Sequence, residues 1–313
     1  MDVLSDVIAA MRIGRPHSAR VEHHGPFARR LPTTIPGAGF HVVLQGKCWL
    51  VPPHSAPIPL DAGDVVFLRH GSEVGIADHP STPMADAPLP APAGFPIRRN
   101  EQPAAIAGNA PAGVAVTVML CGTYLLDESR PHPLLQELPQ VIHLPARQGH
   151  RPELRSAIEL LNSEVTEPRE GADAIVRALL DMLLLYILRT WHDKQTSHHK
   201  TTGWAAALRD PATASALQAI HTDPARQWTV EELAAHAGLS RAALARRFTA
   251  LLGQPPSSYL TWWRMTIAAR LLRESEAPLA SVANKVGYTS EFAFAHAFKR
   301  AHGAAPGRYR RQP

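Results

Sequence analysis

Two short stretches of this chain place polar and small apolar side chains on one helical face directly after a serine. In the first, Ser240 precedes Arg241, Ala242, Ala245 and Arg246; in the second, Ser290 precedes Glu291, Phe292, Ala295 and His296. A serine at such a position caps a helix N-terminus. The four residues after each cap then share the outer face of the first two turns, the part of a recognition helix that meets base edges in the major groove of DNA. Arg246 has the fork to bond guanine O6 and N7 together, while Ala242 and Ala245 are small enough to lie against thymine methyls. Arg241 suits a phosphate oxygen as readily as a base. The second set is chemically weaker: Glu291 repels phosphate and accepts only from base amino groups, and Phe292 offers an apolar face to thymine methyls. The first stretch is therefore expected to carry more of the specificity.

A second group of reactive types, His41, Cys48, His70 and Cys121, falls in β-rich pieces far upstream. Buried strand thiols serve as small packing residues unless something activates them. If Gln45-Gly46 is a two-residue turn, period two puts His41 and Cys48 on one sheet face. That placement is compatible with zinc, although the spacing is no zinc signature. No nucleophile elbow, phosphate loop or paired-carboxylate motif occurs in the sequence. A metalloenzyme in the β-rich half, carrying a helical passenger, is the alternative reading, and it requires a bound metal with open coordination.

The DNA-reading stretches belong to a repeat. Beyond a shared glycine, Ser240, Leu244, Phe248, Gly253, Pro256 and Tyr259 precede Ser290, Phe294, Phe298, Gly303, Pro306 and Tyr309 at one constant offset. Before Gly238 and Gly287 the offset is one residue shorter, so the slip lies in a turn. In the first copy, Thr229 with Glu232 forms a capping box for a helix over Val230 to Ala237, with Leu233, Ala234 and Ala237 inward. Gly238 supplies the turn, and a second helix follows over Arg241 to Leu252 with Leu244, Phe248 and Leu251 inside. Between the copies, Ser258 to Ser275 reads as a helix with Leu260, Trp263, Ile267 and Leu271 on one stripe. A span of roughly 25 Å at 1.5 Å per residue is suited to holding two recognition helices near the ~34 Å separation of successive major grooves.

Upstream, Met1 to Arg12 reads as a short amphipathic helix. Proline and glycine then divide the chain into short pieces: FHVVLQGKCWLV (40–51) as a hairpin about Gln45-Gly46, PLDAGDVVFLRHG (59–71) as a turn and strand, and GVAVTVMLCGTYLL (113–126) as another strand. Asp78 to Gly113, with eight prolines, reads as a long insertion. From Pro152 the period becomes helical. A helix with Leu154, Ile158, Leu161 and Val165 on one face precedes an almost wholly apolar one, Ala172 to Trp191, whose character suggests a buried helix and a dimer seam. The polar stretch after it is taken as a linker, so the expected division is 1–195, a linker at 196–203, and 204–313. The expected class is α+β: a small N-terminal β-barrel with a helical hairpin, then an all-α domain with two helix-turn-helix motifs.

Charge follows this division. From Arg226 to Pro313 there are 13 Lys and Arg against 5 Asp and Glu, a balance of +8, whereas the rest of the chain sums to −3. The basic half is the half that would meet a polyanion. Two cysteines are too few for a disulfide framework. The most apolar window, Ala178 to Leu188, is too short to span a bilayer and carries Asp181, and acids replace the bases a signal peptide needs near the N-terminus. The reading is a cytoplasmic protein.

GLSRAALARRF, YLTWWRM and SVANKVGYTSEFAFAHAFKRAHGAAPGRYR together resemble the AraC/XylS family of transcription regulators. The upstream half, through MDVLSDV, FHVVLQGKCWL and VMLCGTY, is similar to the cupin-type sensor domains of one subgroup. Arg69 stands at the usual cupin proline, and Val74 at the position of a metal histidine. The resemblance implies a one-component regulator that binds double-stranded DNA, dimerises, works with RNA polymerase and answers a small molecule or an oxidant at its N-terminal domain. For Cys48 and Cys121 it adds an oxidant-sensing role to the packing and metal readings.

Overall fold

The computed structural model describes residues 2–14, 16–31, 37–69, 73–86, 116–126, 131–146, 152–197 and 202–311. In chain order its elements are α1 (Val3–Met11), β1 (His17–His24), β2 (Ala28–Arg30), β3 (Ala38–Gln45), β4 (Lys47–Val51), β5 (Ile58–Asp61), β6 (Val65–Arg69), β7 (Gly75–Ala77), β8 (Ala85–Asp86) and β9 (Val116–Tyr124). Then come α2 (Pro133–Gln136), β10 (Val141–Leu144), α3 (Pro152–Thr166), α4 (Ala172–Ser197), α5 (Trp204–Arg209), α6 (Pro211–Thr222), α7 (Val230–His236), α8 (Arg241–Leu252), α9 (Pro256–Glu274), α10 (Leu279–Lys285), α11 (Glu291–His302) and α12 (Pro306–Arg310). They form two compact units. One comprises Ile13–Leu126 and Leu138–Trp191; the other comprises Met1–Arg12, Asp127–Glu137 and His192–Pro313.

The first unit is a mixed β and α structure with two five-stranded sheets, ordered β1-β9-β3-β6-β10 and β5-β4-β7-β2-β8. Among the described residues no strand pairing joins the two sheets, so the expected barrel is not closed; one side-chain bond, from Thr117 Oγ1 of β9 to the Lys47 carbonyl of β4 at 3.0 Å, crosses between them. Val43, Val66, Leu68 and Met119 of one sheet share an apolar cluster with Cys48, Leu50, Leu60 and Ile76 of the other. The opposite face of the first sheet carries Phe40 and Phe67 against Tyr124, whose hydroxyl donates to the Leu180 carbonyl of α4 at 2.9 Å. Covered on both faces, β6 needs no polar alternation, and Val65, Val66, Phe67 and Leu68 are all buried.

Two expectations change here. β3 pairs with β9 and β6, and β4 pairs with β5 and β7, so Gln45-Gly46 is a crossover between sheets and no hairpin forms. Gly46 allows the step: its φ is +80°, and a Cβ there would stand 2.5 Å from the Val116 carbonyl oxygen. The apolar helix Ala172–Trp191 continues to Ser197 as α4, through residues expected to open the linker. Lys and Gln are good helix formers, so polarity alone did not mark its end. The helix is largely buried, with Leu180, Leu183, Leu184 and Ile187 inaccessible. Residues 87–115 of the proline-rich insertion and 198–201 of the linker lie outside the described residues; at the start of the insertion β8 pairs with β2 in parallel.

The second unit is helical. The amphipathic N-terminal helix expected from the sequence is α1, capped by Asp2 and burying Val3, Val7, Ile8 and Met11, and it packs on α6 and α9. Its place is therefore with the helical domain, although in sequence it precedes the sheets. Helix α9 serves two cores. Near its start, Tyr259, Leu260 and Trp263 are buried, and Tyr259 meets Phe248 of α8. Near its end, Met265, Ala268, Ala269 and Leu272 join Val282, Phe294 and Phe298 of α10 and α11. The buried surface winds around the helix because the two partners approach from different sides. The expected stripe at Ile267 and Leu271 is consequently only partly covered.

Candidate nucleic-acid interface

Two helical pairs, α7–α8 and α10–α11, flank α9 and repeat one geometry. Thr229 Oγ1 accepts from Glu232 N at 3.1 Å while Glu232 accepts from Thr229 N at 2.8 Å, a complete capping box. The bond from Thr229 N, then those from the Arg226 and Thr229 side chains, hold the Glu232 carboxyl below its usual range. Gly238 and Gly287 make the two turns at φ +68° and +80°. Ser240 and Ser290 each accept from the amide three residues on, Ala243 N and Ala293 N, both at 3.3 Å. The second helices end on left-handed Gly253 and Gly303. Leu233, Ala234, Leu244, Phe248 and Leu252 form the first core; Leu252 takes the buried place expected of Leu251, and Ala237 is only partly covered because α7 ends at His236.

The residues expected to face DNA sit on solvent-facing N-terminal turns. Ser240, Arg241, Ala242 and Arg246 are exposed and Ala245 is half-buried; Ser290, Glu291, Phe292 and His296 are exposed and Ala295 is half-buried. Phe292 is 83% exposed, its ring open to contact from outside. The basic side chains differ in freedom. Arg241 pairs with the Glu231 carboxylate of α7 at 3.0 Å, both partners being mostly exposed. Such a pair is worth little and can be exchanged for a phosphate. Arg247 turns inward to Asp210, the N-cap of α6. Arg246 makes no ion pair among the described residues.

Sequence periodicity missed the contacts that join the two pairs. Arg264 of α9 is 8% exposed and donates to the carbonyls of Pro224 at 2.7 Å and Arg226 at 2.8 Å. Gln227 donates to the Gly287 carbonyl at 2.5 Å. One signal was present: Arg264 lies four residues after Leu260 and three before Ile267, on the inward stripe of an otherwise apolar run.

In the sheet unit, His41 and Cys48 fall on different sheets, contrary to the shared face expected of a hairpin. His41 Nδ1 instead lies 3.1 Å from Cys121 Sγ across the β3–β9 pairing. Both cysteines pack in the inter-sheet cluster and are free thiols. Burial pushes the Cys121 thiol up to about 12, with Cys48 adding to it. Burial, then the Asp64 charge, does the same for Cys48. Burial draws His41 down to about 4, helped by His23. Neutral thiols beside a neutral imidazole are poor nucleophiles and poor metal ligands. Among the described residues, no three His, Cys, Asp or Glu side chains come together to hold a metal ion. His70 lies outside the described residues.

The helical unit, with its capped and exposed N-terminal turns, defines a helix-turn-helix DNA-binding protein. Comparison with known proteins agrees and goes further. Residues 2–193 match the cupin family and residues 233–312 match a helix-turn-helix domain family. A putative AraC-like transcription regulator of Streptomyces lividans is 37% identical over 100% of this chain and 99% of its own length. The HTH-type transcriptional regulator AlkR of Acinetobacter baylyi is 29% identical over 100% of both chains. The solved DNA-binding domain of AdpA, in complex with a target DNA, is 36% identical over 32% of this chain and 90% of that one, with a TM-score of 0.31. The chain belongs to the AraC-like transcription regulators, with a cupin-like N-terminal region and a helix-turn-helix region at its C-terminal side.

Proposed function

We propose that both helical pairs are helix-turn-helix readers and that they bind one face of double-stranded DNA in successive major grooves. The observation that carries this reading is the duplication of one capped, solvent-facing turn on either side of α9. That helix has 19 residues, or roughly 28 Å at 1.5 Å each, a span compatible with neighbouring grooves. Arg246 is the main base reader and Arg241 a phosphate contact. Ala242 and Ala245 make room for thymine methyls. In the second pair Phe292 packs on methyl groups, with Glu291, Ala295 and His296 beside it, while Ser240 and Ser290 hold the two helix starts in register. The +8 balance of residues 226–313 supplies the sequence-independent attraction.

The cupin-like region is the sensing half, answering a small molecule or an oxidant and altering how the DNA-binding half is presented, in a homodimer that works with RNA polymerase in the cytoplasm. No helix among the described residues is long and apolar enough to cross a membrane. A dimer seam is supported by Leu160 of α3 and Ile175 of α4, large apolar side chains left 54% and 44% exposed.

A gel-shift of the full-length protein on DNA upstream of its own and neighbouring genes tests the central reading. At moderate salt one segment should bind at least about a thousandfold more tightly than random sequence, the lower end for specific regulators. Equal affinity for every segment would count decisively against sequence-specific reading.

A further inference from the structure

Besides the spacer helix α9, the two helical pairs are joined by a polar junction, and its centre is Arg264. The guanidinium is buried and forms no ion pair among the described residues. Nε donates to the Pro224 carbonyl at 2.7 Å, and Nη2 donates to Arg226 at 2.8 Å, with the Ala225 carbonyl at 3.5 Å. Its remaining face lies 5.9 Å from the ring centre of Tyr288. Five donors in a fixed plane allow one arginine to gather carbonyls that point at it from several directions.

These carbonyls belong to the loop that enters the first pair. Within it Arg226 N donates to Asp223 Oδ1 at 3.1 Å and Trp228 Nε1 donates to the Asp223 carbonyl at 2.9 Å. The Arg226 guanidinium covers the Trp228 ring at 4.0 Å and reaches Glu232 of the capping box at 3.2 Å. The loop is therefore fixed to the start of α7. On its other side is the turn of the second pair. Gly287, at φ +80°, approaches so closely that a Cβ would stand 2.5 Å from the Ala225 carbonyl oxygen and 2.7 Å from Arg264 Nη2. Gln227 closes the junction with bonds to the Gly287 and Ala225 carbonyls at 2.5 and 3.3 Å.

We propose that Arg264, with Gln227 and Gly287, is a spacing clamp that fixes the second reading helix relative to the first, making Arg264 a specificity-determining positioning residue that touches no DNA. This rests on the reading that both pairs engage DNA. Without the clamp, α9 alone would connect the pairs, and each could settle into its groove with some independence. With it, one inserted base pair displaces the second recognition surface by about 3.4 Å and rotates it by roughly 35°, one step of a 10–10.5 base-pair turn. A preorganised pair of readers cannot follow that displacement without losing contacts.

The test uses the full-length protein and the operator located by footprinting, together with derivatives carrying one base pair more or fewer between the two protected segments. The wild type should lose about tenfold or more in affinity on the altered spacings, as for the loss of one good base contact. Arg264→Met and Gln227→Ala should each bind native and altered spacings within about threefold of one another, and Arg264→Lys, which keeps the charge but not the fork, should fall between. Circular dichroism and gel filtration check folding. Gln227 is exposed, so its variant decides the matter should Arg264→Met fail to fold. Variants that bind more weakly yet keep the wild-type ratio would reduce the junction to a structural role and overturn the clamp. A wild type indifferent to spacing would instead remove the two-reader reading itself, and the clamp with it.

Discussion

The hydroxyl of Tyr259 lies 2.7 Å from Nε2 of His221, with both residues buried. The same hydroxyl is 3.2 Å from Nε2 of His132, whose Nδ1 accepts from Leu134 N at 3.0 Å. These contacts fix the direction of the protons. His132 Nδ1 is the acceptor, so Nε2–H donates to Tyr259; the tyrosine then donates to His221 Nε2, which leaves His221 Nδ1–H facing the Asp6 carboxylate at 3.5 Å. One ordered chain thus links α2, α9, α6 and α1, three sequence-distant parts of the helical unit.

Removing its middle should be costly. Tyr259→Phe keeps the ring and leaves a buried donor on His132 and a buried acceptor on His221. Urea unfolding followed by tryptophan fluorescence is expected to show a loss of about 1–3 kcal/mol, the desolvation cost of such orphans. A loss below about 0.5 kcal/mol, the range of a surface change, would mean that water replaces the hydroxyl.

The histidines also predict how stability changes with acid. Burial, with His221 adding to it, holds His132 well below its ordinary value, and burial outweighs Asp6 in lowering His221. In the sheet unit burial takes His23 and His41 down to about 4. The unfolded chain binds protons near 6.5 that the fold excludes. The contribution is therefore complete above about pH 6.5 and is lost as pH falls toward about 4, with a slope near 1.4 kcal/mol per pH unit for each histidine kept neutral. Urea midpoints should drop steadily from pH 7 to pH 5; a flat profile would contradict the buried neutral state.

Thiol chemistry should be slow in the folded protein. With both cysteines pushed up to about 12, the thiolate fraction at pH 8 is on the order of a thousandfold below that of a free cysteine. Iodoacetamide should label Cys48 and Cys121 rapidly in urea and slowly without it, by mass spectrometry. Fast native labelling of either would show that the sheets open to admit reagents, and would strengthen an oxidant-sensing role.

On the DNA side, Arg246→Ala is expected to leave the melting temperature unchanged, since the side chain is exposed, and to weaken operator binding by about 1–3 kcal/mol while relaxing preference at one base pair. Arg247→Ala should behave in the opposite way. Its partner Asp210 caps α6, so the change should lower stability more than it alters base preference. A calorimetric melt beside a competition gel-shift separates the two outcomes.

The sequence by itself determined the DNA-reading half because that half is built from local rules. Caps at Thr229, Ser240 and Ser290, glycine turns at Gly238 and Gly287, and a 3.6-residue apolar period each act within a few residues, and all are written in the order of the chain. The same locality exposed Arg246 and Phe292 correctly. What only the tertiary structure decided depends on residues brought together from far apart. His41 meets Cys121 and not Cys48, because Gly46 carries the chain from one sheet to the other. Helix α1 joins the helical unit at the opposite end of the sequence, where Asp6 faces His221. Arg264 closes a junction between residues 224–227 and Gly287 that no periodicity encodes. A hydrogen bond across forty or a hundred residues leaves no repeating trace in a sequence; it is fixed only when packing brings donor and acceptor to the same buried place.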